Sequence, residues 1–399
     1  MKFLVILGDG MADHPIERLS GRTPLQHAQT PWMNQLAREG RCGMFQTIPE
    51  GFPPGSEVAN TAILGYDLNK VYEGRGPLEA ASIGYEMQAA DLALRCNIIT
   101  IGDGKILFHH GGHLKTDEGD MLIQYLNKHL ADERIKFVTG IQYRHLLIVK
   151  GGSKDILCAP PHDHPNEPWQ PLLVKATSPD GIETADLLNR LILQSQELLA
   201  RHPFNQGRER PANSIWPWSG GYRPKMETLM QKYPRLRSGA VISAVDLIRG
   251  IGHYAGLENI FVEGATGLSD TNYEGKAQAT IDALRRHDFV FLHIEASDEA
   301  GHDGDLDLKL QTIEDLDRRV VGPIYNEVKA WNEPVCIALL PDHPTPVELR
   351  THVAEPVPFT IWHRDISPDE VQTFDEQSCA DGAYGLLRLQ QFMQTLMRI

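Results

Sequence analysis

Residues 288–305 read DFVFLHIEASDEAGHDGD, an apolar strand-like run that leads into a segment rich in charge and turn residues. Two further apolar runs, FLVIL and VCIALL, end in the same way just before Asp9 and Asp342. Helical patterns alternate with these runs, which is typical of an α/β domain with a largely parallel sheet. In such sheets the loops after the strands converge at the carboxyl ends of the strands. The sequence therefore predicts that Asp9, Asp298 and Asp342 meet in one crevice.

Histidines accompany two of these acids. His302 follows Asp298 by four residues, which places both on one face if a helical turn begins there. A solvated acidic loop is the alternative for this segment. His343 adjoins Asp342, and His352 lies nine residues further on, before a Pro-bounded apolar run. Mixed Asp and His ligands suit zinc, manganese or iron better than calcium, which prefers oxygen alone.

A serine in PPGSEVAN is the candidate nucleophile. The simpler interpretation is that Ser56 caps a helix beginning near Glu57. Capping and catalysis are compatible, because the amino terminus of a helix favours phosphate and a metal ion can activate a hydroxyl at neutral pH.

Several elements are predicted from pattern alone. Helices are expected over 31–39, with Thr30 as cap and Pro31 at the first position, over 274–286 and over 305–328. NIFVEG is expected to be a strand. The segment APPHDHPNEPWQP, with His162 and His164, has too few clustered ligands for a metal site and is expected to be a loop near a hinge.

The length of the chain, 399 residues, favours a domain with a second domain inserted. Two strand pairs around an amphipathic helix predict a compact α+β insertion over residues 91–176, within a main domain formed by 1–90 and 177–399. The formal charge of −15 argues against nucleic-acid or anionic-membrane partners. It leaves room for an anionic substrate, because bound cations can hold phosphate inside an acidic protein.

Cysteine usage and hydropathy indicate the compartment. Five scattered cysteines without a C-x-x-C pair are typical of reduced thiols. The first apolar run is interrupted by Gly8 and Asp9, too early for a signal peptide, and no run is long enough to span a bilayer. A soluble, cytoplasmic protein is expected, and its oligomeric state, including a homo-oligomer, stays open.

The short sequence motifs and their order along the chain resemble those of the alkaline phosphatase superfamily. Within it, the chain is similar to the cofactor-independent (2,3-bisphosphoglycerate-independent) phosphoglycerate mutases of the archaeal type. The resemblance covers almost the whole chain and rests on GDGMAD, GSEVANTAILGYD, EGRGPLEAASIGY, QYRHLLIVKG, ISAVDLIRGIG, VEGATGLSDTNYEGKA, EASDEAGHDGDLDLK, PDHPTP and THVAEPVPF. It implies a mostly parallel sheet sandwiched by helices, with a smaller inserted α+β lid domain.

The resemblance also implies residue roles. Two divalent metal ions, Mn²⁺ or Zn²⁺ with Co²⁺ as a further option, would be bound, and 2,3-bisphosphoglycerate would not be needed. One ion would take Asp298, His302 and His352, and the other would take Asp9, Asp342, His343 and the Ser56 oxygen. Ser56 would receive a phosphoryl group from a small phosphorylated substrate and return it to a different hydroxyl.

Substrate contacts are expected in the insertion and near it. Arg144 and His145, in YRHLL, are candidates for holding a carboxylate or phosphate, and a charge pair on an edge strand is the alternative. Arg75, flanked by glycines in EGRGPLE, is a further candidate or a surface-loop arginine. The arginine-rich segment of the longer bacterial mutases is missing, which makes the metal site a firmer expectation than the substrate.

Interconversion of 3-phosphoglycerate and 2-phosphoglycerate is the leading hypothesis. Homoserine kinase is the main alternative, although the chain has no G-x-x-x-x-G-K-[ST] nucleotide loop. A phosphomonoesterase would result if water reached the phosphoserine. A non-enzymatic metal-stabilised protein fits poorly, because structural zinc sites are usually rich in Cys and this ligand set has none.

Overall fold

The computed structural model describes residues 1–399 and consists of two compact units. The large unit comprises Met1–Tyr72 and Lys225–Ile399, and the small unit comprises Glu73–Pro224. No helix combines the length and the apolar character needed to cross a bilayer.

The regular elements are numbered along the chain. The strands are β1 (Lys2–Gly8), β2 (Arg41–Gln46), β3 (Asp91–Gly102), β4 (Lys105–Phe108), β5 (Ile135–Ile141), β6 (Arg144–Lys150), β7 (Ile156–Leu157), β8 (Lys175–Ala176), β9 (Ser214–Gly221), β10 (Gly239–Ile242), β11 (Glu258–Asn259), β12 (Phe289–Ile294), β13 (Val335–Leu340), β14 (Val357–Trp362) and β15 (Leu386–Arg388). The α-helices are α1 (Pro24–His27), α2 (Pro31–Glu39), α3 (Ser56–Ile63), α4 (Leu68–Val71), α5 (Arg75–Ser82), α6 (Thr116–Leu130), α7 (Ile182–Arg201), α8 (Leu229–Lys232), α9 (Asp246–Tyr254), α10 (Tyr273–Arg286), α11 (Ala296–Asp303), α12 (Leu306–Leu316), α13 (Gly322–Lys329), α14 (Glu376–Ala380) and α15 (Gln391–Arg398).

The large unit is built on an eight-stranded sheet in the order β11-β10-β12-β1-β13-β14-β2-β15. Strands β11, β10, β12, β1 and β13 run parallel, and β14 is antiparallel to both of its neighbours. In the register, Val5 lies between Phe291 and Ala338. Every residue of β1, β12 and β13 is buried, as expected for central strands covered on both faces. The predicted α/β class is confirmed, although only Asn259 of the predicted strand NIFVEG lies in a strand, as the second residue of β11.

The predicted helix over 305–328 is interrupted. A π-helical turn, Asp317–Val321, separates α12 from α13. Pro323 explains part of this turn, because it has no N–H to donate and its ring crowds the preceding turn of the helix. The Asp317 carboxylate accepts hydrogen bonds from the backbone N–H groups of Trp32 and Met33. Asp317 therefore caps the amino terminus of α2, a role that was expected of Thr30. The Thr30 side chain makes no capping hydrogen bond.

The small unit contains a five-stranded antiparallel sheet, in which β4, β3, β6 and β5 are consecutive. Strand β4 pairs with the end of β3, from Thr100 to Gly102, and β9 pairs with β3 from Ala93 to Ile99. The predicted strand pairs and the helix between them are confirmed. The unit is nevertheless larger than the expected 91–176. Helix α5 packs on β3, and β9 and α7, beyond residue 176, complete the sheet and its core. His162 and His164 lie within the small unit, in the loop between β7 and β8, as the sequence predicts for this segment.

Candidate active site

Three loops at the carboxyl ends of β1, β12 and β13 converge. The Asp9 N–H donates to the carbonyl of Ile294 at 2.8 Å, which holds the start of its loop against β12. Gly10 adopts φ +61°, and its N–H donates to Oδ1 of Asp342 at 3.2 Å. A Cβ at Gly10 would lie 2.6 Å from Oδ1 of Asp298. The three acids therefore meet as the parallel-strand pattern predicts, and the turn that brings them together leaves room only for glycine.

One group of donors surrounds Asp298. Its Oδ2 is 3.3 Å from Nε2 of His302, one helical turn away on α11, and its Oδ1 is 3.3 Å from Nε2 of His352. The two histidine Nε2 atoms are 2.8 Å apart. Nδ1 of His302 donates to the Arg350 carbonyl at 3.1 Å in the neutral ring, so Nε2 carries no proton and its electron pair can bind a metal ion. The acidic segment is thus an ordered helical turn that presents ligand atoms.

A second group surrounds Asp9. Nε2 of His343 lies 3.6 Å from Oδ1 of Asp9 and 3.4 Å from Oδ2 of Asp342. The His343 ring is also 4.1 Å, centroid to centroid, from that of His352, so its donor atom borders both groups. All seven residues expected to bind metal or phosphate lie in this one region of the large unit.

Ser56 is placed by the start of α3. It is the first helical residue, Gly55 occupies the cap position, and no side chain caps the helix, which corrects the expectation that Ser56 is the cap. Its Oγ instead lies 3.2 Å from Nε2 of His343 and 3.4 Å from Oδ2 of Asp9. The hydroxyl therefore sits among the carboxylates and imidazoles, at the positive end of the helix dipole.

A positive charge in this site would stabilise its buried carboxylates. Burial and the nearby charges of Asp342 and Asp298 raise the pKa of Asp9 well above its usual value. Its Oδ1 is buried without a hydrogen-bond partner. The hydrogen bond to Asp298 raises the pKa of His302 to about 9. These crowded carboxylate and imidazole ligands, with one carboxylate oxygen that lacks a hydrogen-bond partner, fit divalent cations.

Supporting residues were missed in the sequence. Nε2 of His293 bonds Oδ2 of Asp9 at 2.8 Å, and Nδ1 contacts the Ser243 hydroxyl at 3.2 Å. Asn60 donates to Oδ2 of Asp342 at 2.9 Å, and the Thr345 hydroxyl donates to Oδ1 of Asp298. His293 carried a usable signal, because it is the one polar residue inside the buried run FVFLHI.

Arg144 and His145, the two adjacent residues of the small unit that were expected to bind substrate, lie on opposite faces of its sheet. In the antiparallel pairing, Arg144 lies opposite Asn97, whereas His145 lies opposite Cys96, so their side chains point to opposite faces of the sheet. His145 is 1% exposed and faces α6, where its Nε2 would lie 3.0 Å from a Cβ at Gly119. Its ring is part of the core beneath α6, which corrects the expectation that it contacts a substrate.

The opposite face carries a concentration of positive charge. Arg95 lies on this face with Arg144; its Nε is 2.9 Å from Oε1 of Glu79, and its guanidinium stacks 4.5 Å above the Trp218 ring. Burial lowers the pKa of Arg95, and so do the charges of Arg75 and Arg144. Arg75 is the first residue of α5. The charges of Arg75 and Arg144 thus act on Arg95, which the sequence pattern does not single out.

Comparisons with known proteins place these features in a family. A central parallel sheet with Asp, His and Ser converging beyond its strands defines the class as α/β proteins with a candidate divalent-cation site. The family model for 2,3-bisphosphoglycerate-independent phosphoglycerate mutase matches residues 37–205. A mutase of that name from Methanosarcina acetivorans is 47% identical over 100% of both chains, and a probable one from Geobacter sulfurreducens is 46% identical over 95% of both. The chain therefore belongs to the 2,3-bisphosphoglycerate-independent phosphoglycerate mutase family.

Solved structures agree with this assignment. The PH0037 protein from Pyrococcus horikoshii is 30% identical, with a TM-score of 0.84 over 100% of this chain and 96% of that one. A cofactor-independent phosphoglycerate mutase from Thermoplasma acidophilum is 28% identical, with a TM-score of 0.69 over 100% and 99% of the two chains. The similarity therefore extends over both units.

Proposed function

We propose that this protein interconverts 3-phosphoglycerate and 2-phosphoglycerate through a phosphoserine at Ser56, without 2,3-bisphosphoglycerate. The observation that carries the proposal is the position of the Ser56 hydroxyl. It lies at a helix amino terminus, 3.2 Å from Nε2 of His343 and 3.4 Å from Oδ2 of Asp9. We further propose a cytoplasmic location and a small phosphorylated substrate as the partner.

The donor atoms divide between two cation sites. Asp298, His302 and His352 would hold one divalent ion, and Asp9, Asp342, His343 and the Ser56 oxygen would hold the other. We propose Mn²⁺, Zn²⁺ or Co²⁺, because mixed carboxylate and imidazole ligands accept all three. Bound ions would supply positive charge that favours the serine alkoxide and the phosphoryl oxygens.

The remaining steps belong to the protein's own residues. The Ser56 hydroxyl gives up its proton as Oγ attacks the phosphorus of the substrate, the substrate's phosphoester bond breaks, and the oxygen that leaves takes up a proton. The second hydroxyl of the same glycerate then gives up its proton and attacks the phosphoserine, the bond from phosphorus to Ser56 Oγ breaks, and Oγ takes up a proton. The amino terminus of α3 stabilises the phosphoryl oxygens in both steps. Because the serine regains its starting form, no external phosphoryl donor is consumed.

Anionic groups of the substrate need partners as well. We propose that Arg75 and Arg144 bind them, and we add Arg95, which lies on the same face of the small-unit sheet as Arg144. Guanidinium groups bind carboxylate and phosphate through paired hydrogen bonds. His145 is omitted from this set because its ring is buried under α6. We also propose that the small unit acts as a lid, because water must be excluded while the phosphoserine exists.

The test is turnover by the metal-stripped full chain after Mn²⁺ is added back. Formation of 2-phosphoglycerate from 3-phosphoglycerate, without 2,3-bisphosphoglycerate, should be abolished by EDTA and by Ser56→Ala. Release of inorganic phosphate in the same reaction would identify a phosphomonoesterase. Formation of ADP from homoserine and ATP in a parallel reaction, with no mutase turnover, would assign the site to a kinase.

Arginine variants test the substrate contacts separately. Arg95→Met and Arg144→Ala should raise KM while Mn²⁺ affinity stays unchanged, since both residues lie outside the metal-binding donors. Arg134→Ala is the matched control, because this arginine is also in the small unit but its partner is the exposed Glu183. Wild-type KM in both test variants would remove these arginines from the substrate site.

A further inference from the structure

Lys309, on α12, is a fully buried lysine close to the candidate site. Its Nζ donates three hydrogen bonds, to the Ala12 carbonyl at 3.2 Å, Oδ2 of Asp13 at 2.7 Å and the Thr345 carbonyl at 2.8 Å. An ammonium group has three N–H donors, so each of them has a partner.

The partners of Lys309 belong to the two loops that carry Asp9 and His343. Ala12 and Asp13 end the turn that begins at Asp9, and Thr345 follows His343 by two residues. The loops are also bonded to each other. The Thr345 N–H donates to the Ala12 carbonyl at 3.2 Å, and the Val347 N–H donates to Oδ2 of Asp13 at 3.1 Å. One ammonium therefore fixes the separation of two ligand-bearing loops that are distant in the sequence.

A buried ion pair alone does not explain a lysine at this place, because apolar residues of similar size often stabilise a fold as well. A methyl group, however, cannot hold two carbonyls and a carboxylate of different loops at hydrogen-bond distance. We propose that Lys309 is a positioning residue that raises the affinity of the Asp9–Asp342–His343 site for a divalent cation. The inference rests on the proposed metal site, but not on mutase turnover.

The experiment measures Mn²⁺ binding to the metal-stripped full chain by isothermal titration calorimetry. A His302→Ala background removes a ligand of the other site, so that binding reports the Asp9 site. Lys309→Met alone leaves the Asp13 carboxylate buried and unpaired, and this variant is at risk of unfolding. Lys309→Met/Asp13→Asn removes both charges, keeps the net charge of the chain and leaves an amide oxygen at residue 13 to accept the Val347 N–H.

We expect the double variant to fold and to bind Mn²⁺ roughly 10- to 100-fold more weakly, the usual effect of losing a residue that orients metal ligands. Lys2→Met is the matched control. Lys2 is also buried and bonds a backbone carbonyl, that of His287, but it lies at the opposite end of β1. This control should bind Mn²⁺ as tightly as the background protein.

Unchanged affinity in the double variant, with lower thermal stability of the metal-free protein, would make Lys309 structural only and overturn the inference. Failure of wild-type protein to bind Mn²⁺ would refute the metal site itself. Normal Mn²⁺ binding without mutase turnover would leave Lys309 in its role and refute the proposed activity alone.

Discussion

Gly10→Ala should damage the site through steric displacement of Asp298. The substitution forces alanine into φ +61° and places its Cβ 2.6 Å from both Oδ1 of Asp298 and the Thr345 hydroxyl, and 2.7 Å from Cα of Asp298. The left-handed conformation costs about 1–2 kcal/mol and overpacking about 1–3 kcal/mol. The free energy of unfolding should therefore fall by about 2–5 kcal/mol. Because a backbone atom is among the contacts, rotation of a side chain cannot relieve the clash.

The displacement of Asp298 should also lower the rate of turnover. A shift of about 1 Å in a catalytic group lowers turnover roughly 100-fold, and we expect a loss of this size for Gly10→Ala. Gly21→Ala is the control, because Gly21 has φ +74° and no atom lies within 4 Å of its added Cβ. It should lose only the conformational 1–2 kcal/mol and keep full turnover. Urea unfolding measures the loss of stability, and the rate at which 2-phosphoglycerate forms from 3-phosphoglycerate measures the loss of turnover. Equal losses in the two variants would refute the steric argument.

Two further predictions concern buried histidines. Burial lowers the pKa of His145 to about 3 from 6.5, so on acidification the unfolded chain takes up a proton that the folded chain does not. Between pH 6.5 and pH 5, the free energy of unfolding of the wild-type protein should therefore fall by about 2 kcal/mol more than that of His145→Leu. Urea unfolding measures both free energies, and an equal fall in the two proteins would contradict the buried, neutral ring. His293→Phe removes the 2.8 Å bond to Asp9 and should weaken Mn²⁺ binding roughly 10- to 100-fold; an unchanged dissociation constant would show that His293 does not orient this ligand.

The central sheet was predictable because its strands are continuous apolar runs that end in Asp or in a short polar segment. Parallel pairing then brings Asp9, Asp298 and Asp342 together by topology alone. Ser56 was found by its position near a helix start, although the side chain points into the site and leaves the helix uncapped. These residues could be identified from the sequence because each follows or begins a recognisable strand or helix pattern.

Other features depend on distant partners. The π-helical turn arises where Asp317 caps α2, more than 280 residues away in sequence. Consecutive residues of a strand, such as Arg144 and His145, always point to opposite faces, but the burial of His145 follows from the packing of α6 on its face, which the residue types alone did not reveal. Arg95 was missed because it lies inside a strand-like run, and its significance appears only when β6 and α5 pack beside it. The extent of the small unit was likewise set by pairing of β9 with β3.

The most direct test of the central claim is to locate the phosphoryl group during turnover. Metal-loaded protein is mixed with 3-phosphoglycerate, quenched during the steady state, digested and analysed by peptide mass spectrometry. The proposed reaction predicts phosphorylation of Ser56 in wild-type protein and none at this position in the metal-stripped protein. Phosphorylation of a different residue, or full turnover by Ser56→Ala, would contradict it.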